Sequence, residues 1–170
     1  MPSHLHSSEG YPLIPEGLPD DFKSAMRRLA ASVSVVVAKG EDGPVGITAT
    51  SITSLTVDPP AVLICVNRLT TVHPVLIPTA PLSVNLLARG QKDVSAAFGG
   101  GLPREQRFGV GEWEETAMGI PQLRGAQANL HCVIDAMLAY GTHSIVIARV
   151  LEAKVNGEVG PLIYQDGDYL

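Results

Sequence analysis

Charge is scarce in this chain. Only 17% of the residues are charged, against 45% apolar, and the formal balance is −5. No run of Lys or Arg forms a basic stripe, which argues against a nucleic-acid interface. Cysteine is nearly absent. Cys65 and Cys132 each sit inside an apolar run, with no Cys-x-x-Cys spacing, so neither a zinc ribbon nor a redox pair is signalled. They read as buried, reduced thiols. No apolar run reaches the length of a membrane span. The opening MPSHLHSSEG has neither a basic n-region nor an apolar h-region, so it is not a secretory signal and the reading is a cytoplasmic protein. His4 and His6 lie in that opening with no second cluster to complete a ligand set, so no metal site is expected.

Familiar chemical signatures are missing as well. Gly99-Gly100-Gly101 and Gly109-Val110-Gly111 both fail the dinucleotide spacing, and neither stands between a strand and a helix. There is no Gly-Lys-Ser/Thr phosphate loop, no Gly-x-Ser-x-Gly elbow and no His-Glu-x-x-His zinc helix. Most hydrolases, kinases and classical dehydrogenases are thereby set aside.

What is present is organised around Gly46 to Arg68, GITATSITSLTVDPPAVLICVNR. Six side chains between Thr48 and Thr56 carry a hydroxyl: Thr48, Thr50, Ser51, Thr53, Ser54 and Thr56. Read as one strand, Thr48, Thr50, Ser54 and Thr56 share a face, with Ile47, Ala49, Leu55 and Val57 opposite. One face suits a core. The other suits a polar ligand, or simply solvent. Asp58-Pro59-Pro60 then breaks the ladder, Asp58 being a turn residue. Ala61 to Val66 is continuously apolar, a strand buried on both faces, and Asn67-Arg68-Leu69-Thr70-Thr71 follows as a polar loop.

At 170 residues the chain suits one domain. Residues 1–17 read as a flexible arm and 18–170 as the domain. Pro19 to Ala31 predicts a helix whose Phe22, Met26 and Leu29 fall on one stripe expected to face the core. Val33 to Lys39 predicts a strand, turning at Gly40 to Pro44. Val72 to Ile77 suits one helical turn, and Pro81 to Ala88 a strand with Ser83 and Asn85 on one face. Gln91 to Phe98 reads as helix, ended by three glycines. Residues 102–121 read as an irregular loop, in which Trp113 either covers a pocket or packs on the barrel. Ala126 to Ala139, His143 to Val155 and Pro161 to Gln165 are strands. Short strands, many turns and few helices predict a mainly β, antiparallel barrel. Low charge also hints at surface covered by another copy of the chain, although 17 Gly and 13 Pro fit a turn-rich fold alone.

Hydroxyls and main-chain N–H groups at strand ends can hold a phosphate, and an arginine adds a charge-assisted bond. His143, Arg68 and the Ser83/Asn85 pair are the remaining candidates. His73 and His131 read as structural.

The order and spacing of several fragments resemble the flavin reductase family, over residues about 20 to 169. They are Gly46-Ile47-Thr48-Ala49-Thr50-Ser51, Thr56-Val57-Asp58-Pro59-Pro60, Cys65-Val66-Asn67-Arg68 and Ser83-Val84-Asn85-Leu86-Leu87. Arg107-Phe108, Gly141-Thr142-His143, Ile147-Ala148-Arg149-Val150, Pro161-Leu162-Ile163-Tyr164 and Tyr169 complete the series. The resemblance implies an FMN-binding split barrel of Greek-key topology with a few short helices. It also implies a homodimer that takes hydride from NADH or NADPH to FAD or FMN and supplies a flavin-dependent monooxygenase. Carried over, Thr48, Ala49, Thr50 and Ser51 would line the flavin. Asn67, Arg68 and Thr71 would hold its phosphate, and Ser83, Val84 and Asn85 would meet the ring edge. His143 would sit by the nicotinamide as a positioning group, with Phe108 and Tyr169 flanking. The Thr142 before His143 and the Leu69-Thr70-Thr71 loop depart from the family pattern. A flavin- or heme-binding carrier on the same barrel is the alternative reading, because a fold does not fix an activity.

Overall fold

Ser34 to Ala38 is buried on both of its faces in the computed structural model, which describes residues 15–170. That single fact requires two cores. Val36 and Ala38 point into the barrel interior with Val45, Ile47, Ile64, Val84, Cys132, Ile134, Val146 and Ala148. Val35 and Val37 point outward into a second cluster with Val94, Phe98, Ile120, Leu123 and Leu162. Side chains alternate across a strand, so a valine run serves two layers at once. Each buried valine contributes roughly 1.5–3 kcal/mol through area removed from water. Burial pushes the Cys132 thiol up to about 12, so it stays neutral in the barrel core.

The elements in order are α1 (Leu18–Met26), β1 (Ala31–Ser32), β2 (Ser34–Gly40), β3 (Gly43–Ala49), β4 (Ile52–Val57), β5 (Pro60–Asn67) and β6 (Pro81–Leu86). After these come α2 (Lys92–Ala96), β7 (Trp113–Glu115), β8 (Pro121–Leu123), β9 (Ala128–Tyr140), β10 (His143–Val155), β11 (Ile163–Gln165) and β12 (Asp168–Tyr169). Seven strands form the main sheet in the order β3-β2-β6-β9-β10-β5-β4. Every neighbouring pair is antiparallel. The two ends of that order, β3 and β4, are consecutive in the chain. The sheet therefore curls until its edges meet at Thr50–Ser51 without a shared ladder. This is the split barrel.

Two small sheets cover the outer face of β2 and β6. One joins β1, β11 and β12, and the other pairs β7 with β8. The stretch 102–121, expected to be irregular, thus carries a short turn at Arg104–Gly109 and half of a hairpin. Trp113 packs there: its ring meets Phe98 and Phe108 at 5.2 and 5.1 Å, and Nε1 donates to the Val110 carbonyl, while the residue also lines a cleft with Lys39, Pro44 and Glu115.

The first helix departs from expectation. α1 ends at Met26 and buries no residue. Phe22, Met26 and Leu29, expected in the core, are 61, 44 and 59% exposed. The apolar stripe is real, but among the described residues none buries it. The arm of residues 1–17, with His4 and His6, lies outside the described residues except for its last three positions. Among the described residues no helix is long and apolar enough to cross a membrane.

Candidate functional site

The hydroxyl stretch is bent, not straight. β3 stops at Ala49, which is buried in the barrel, and β4 resumes at Ile52, leaving Thr50 and Ser51 exposed at the corner. The Ser51 carbonyl accepts a bond of 3.0 Å from the Cys65 amide, so the corner is fastened to β5. The expected single face of Thr48, Thr50, Ser54 and Thr56 does not form. The chain crosses from one edge of the sheet to the other at the corner, and a bulge interrupts β4 between Ser54 and Thr56. Thr48 is half-buried and donates to the Ser95 carbonyl of α2 at 2.7 Å. Thr53, Ser54 and Thr56 are exposed on the edge strand.

Two residues beyond Cys65, β5 ends in the polar loop. Asn67 Oδ1 accepts from the Leu69 amide at 2.9 Å, a side-chain turn of the kind asparagine favours. Thr70 Oγ1 donates to the Asn67 carbonyl at 2.7 Å. Asn67 and Thr70 shape the loop, while Arg68 and Thr71 face outward. His143 is the direct partner of Asn67 across the β5–β10 ladder, and its Nδ1 lies 2.8 Å from Thr142 Oγ1. Thr142 thus supplies a hydroxyl to orient the exposed imidazole. Thr50, Ser51, Asn67, Arg68, Thr71 and His143 accordingly gather at one end of the barrel. His73, read as structural, bonds Ser144 through Nε2 at 2.9 Å. His131 is buried between Gln122 and Glu152.

Three candidates on β6 are placed differently. Ser83, Val84 and Asn85 have no exposed surface. The main chain of β6 is paired on both sides, to β2 and β9. Ser83 Oγ donates to the Pro121 carbonyl at 2.7 Å, and Asn85 Nδ2 donates to the Val35 carbonyl and to Ser83 Oγ. Asn85 Oδ1 accepts from the Leu123 amide and from Asn129 Nδ2. Their polar face is thus bonded to β8, with further partners from Val35 of β2 and Asn129 of β9. Val84 lies in the barrel core. Phe108 is likewise engaged, edge-on to Phe98 at 5.0 Å and near the Gly43 end of β3.

Tyr169 sits on the covering sheet, paired with Tyr164, the two rings 5.3 Å apart. Its hydroxyl is 2.8 Å from Ser95 Oγ, and Lys92 Nζ stands 5.1 Å over its ring. A cleft of about 690 Å³ opens beside it. It is lined by Phe22, Met26 and Leu29, from α1 and the turn after it, and by Thr50, Ser51 and Tyr164. Apolar walls with a few hydroxyls and an aromatic ring suit a flat heteroaromatic group. A second cleft of about 440 Å³ is lined by Arg68, Leu69, His73, Gly141 and Thr142, a cationic rim suited to phosphate.

Arg27 closes one end of the larger cleft. Its Nε donates to Asp166 Oδ1 at 2.9 Å, and Nη2 to the Asp166 carbonyl at 2.7 Å. That bond, with the guanidinium charge, holds the Asp166 carboxyl below its usual range. Sequence reasoning did not single out α1, Arg27 or Ser95. The apolar stripe on α1 was legible but assigned to the core, and a lone serine inside a helix carries no signal. Tyr164 stood within a quoted fragment without a role.

The flavin reductase like domain model matches residues 26–170. An FMN reductase (NADH), RutF, of Variovorax paradoxus is 35% identical over 167 residues, covering 98% of this chain and 91% of its own. The reductase component of an FADH(2)-dependent resorcinol hydroxylase from a Rhizobium species is 36% identical over 159 residues, 92% of this chain and 89% of that one. The crystal structure of an NADH:FAD oxidoreductase from Streptomyces globisporus, complexed with NAD and FAD fragments, superposes with a TM-score of 0.82 at 25% identity. It covers 94% of this chain and 96% of its own. With nearly its whole length matched in sequence and in fold, this chain belongs to the flavin reductase like domain family.

Proposed function

We propose that this protein is an NAD(P)H:flavin oxidoreductase, its residues 18–170 forming the reductase domain. It takes hydride from NADH or NADPH to FAD or FMN and passes the reduced flavin to a separate flavin-dependent monooxygenase in the cytoplasm. The observation that carries this is the corner at Thr50–Ser51, which the bond to Cys65 sets at the same barrel end as Asn67, Arg68 and His143. A flavin supplies the two-electron acceptor. The chain's own residues have to bind it, orient it and keep water from its face. Thr50 and Ser51 would meet the ring system against the apolar wall of α1. Arg68 and Thr71 would hold phosphate, with Asn67 and Thr70 setting the loop that presents them. His143, oriented by Thr142, would position the nicotinamide. Hydride transfer needs no protein acid at the moment of transfer, so placement carries the catalysis.

A homodimer belongs to the same reading. On the outer face of the barrel Leu63, Cys65, Ile145 and Ile147 are only half-buried, and Leu138 and Tyr140 are 55 and 64% exposed. These residues are ladder neighbours, so they form one continuous apolar sheet face.

The test is oxidation of NADH and NADPH, followed at the nicotinamide absorbance, with FMN and with FAD. Turnover with at least one pair is the expected result. No turnover with any of the four pairs overturns the reading.

A further inference from the structure

Ser95 is wholly buried, lies in a five-residue helix and carries no part of the function described so far. Yet two candidate flavin residues converge on it. Its carbonyl receives the Thr48 hydroxyl at 2.7 Å, and its own Oγ meets the Tyr169 hydroxyl at 2.8 Å. From Thr48 the chain runs through Ala49 directly into the Thr50–Ser51 wall of the cleft. From Tyr169 the contact passes edge-to-face to the ring of Tyr164, which lines the same cleft. The two sides share no ladder: β3 belongs to the main sheet, while β11 and β12 belong to the small covering sheet. Main-chain bonds among Val33, Leu87 and Leu162 already join the two sheets beside β11, and Ser95 ties the edge strand β12, at Tyr169, to the Thr48 strand. The Ser95 hydroxyl is wholly buried and exchanges no hydrogen bond with water, so its direction is held.

We propose that Ser95 is a positioning residue for flavin: it pins the hydroxyl strand to the tyrosine hairpin and so sets the width of the cleft. This rests on the flavin reading of that cleft and adds to it a residue outside the cleft lining. Removing the bond lets the Tyr164–Tyr169 hairpin move away from Thr50 and Ser51. Flavin affinity then falls while the chemistry of a bound flavin is kept.

The experiment compares Ser95→Ala, Tyr169→Phe and the double variant with the wild type. Flavin Kd is read by fluorescence quenching with FMN and FAD, and flavin KM and kcat are read in NADH turnover. Each single variant is expected to raise flavin Kd and KM about 2–10-fold, the range of one neutral hydrogen bond. The kcat of Ser95→Ala at saturating flavin should stay at the wild-type value. The double variant should show no further loss, since both changes delete the same bond. Ser95→Thr, which keeps the hydroxyl, should recover most of the affinity. Tyr169 is only half-buried, so Tyr169→Phe gives a folded variant even if Ser95→Ala does not fold. Unchanged flavin Kd in either single variant, or losses that simply add, overturns the inference while leaving wild-type turnover in place. A wild type that binds and reduces no flavin overturns both.

Discussion

Asn85 shows how a residue can be indispensable near a site without touching a ligand. Its amide is bonded on both ends, to Val35 and Ser83 as donor and to Leu123 and Asn129 as acceptor. Replacing it by alanine strands the buried Leu123 amide and removes one of the two bonds of Asn129 Nδ2. Asn85→Ala should therefore cost about 2–3 kcal/mol of stability. Urea unfolding would show this as a lower midpoint, and flavin KM would hardly move in the protein that remains folded. A large rise in flavin KM at unchanged stability would instead restore Asn85 to the ligand. His143 and Asn85 were both legible as polar residues on strands. Only His143 proved open to solvent, because what covers a strand face is not written in the strand.

Among the elements, β3 and α1 behave in opposite ways. β3 is tightly held. A Cβ on Gly46 would lie 2.8 Å from Phe98 Cε1 and 2.9 Å from Cδ1, so only glycine lets α2 and its following turn lie on the strand. Gly46→Ala should destabilise by about 1–3 kcal/mol through overpacking, read as a lower thermal midpoint. A Phe98→Leu partner substitution should recover part of the loss. α1 is loosely held, fastened at its C-terminal end by Arg27 to the Asp166 turn and by the Gln165 amide to the Arg28 carbonyl. The Asp166 carboxyl is depressed by that pairing. Its contribution is therefore complete above the ordinary aspartate range near pH 4 and is lost as pH falls through the lower folded value. Hydrogen exchange of residues 18–26 should be flat from about pH 5 to 8, once corrected for intrinsic rates, and should rise below that window. Asp166→Asn should show the raised exchange already at neutral pH. Equal protection in Asp166→Asn and wild type at pH 7 would rule the tether out.

For the whole molecule, the outer apolar face predicts a dimer. Light scattering on the eluting protein should give twice the chain mass of 17.9 kDa. Ile145→Asp, which places a charge in the middle of the half-buried face, should shift it to one chain without loss of the barrel's circular dichroism. A monomeric wild type would leave that face without its assigned partner.

Sequence alone determined the barrel, since β-branched runs, paired turns and the Asp-Pro-Pro corner are local properties of the chain. It also determined the family, through the order of short fragments, and it placed His143 and the Asn67 loop, because both stand at strand ends where the chain must turn. Tertiary structure alone decided which polar residues face outward. Burial depends on what a distant segment lays over an element: β8 over Ser83 and Asn85, α2 over Thr48, and nothing among the described residues that buries Phe22 and Met26. The bend at Thr50–Ser51 is likewise a consequence of closure. A sheet whose first and last strands are consecutive can join its edges only by turning the chain there, and no local preference of those two residues records that.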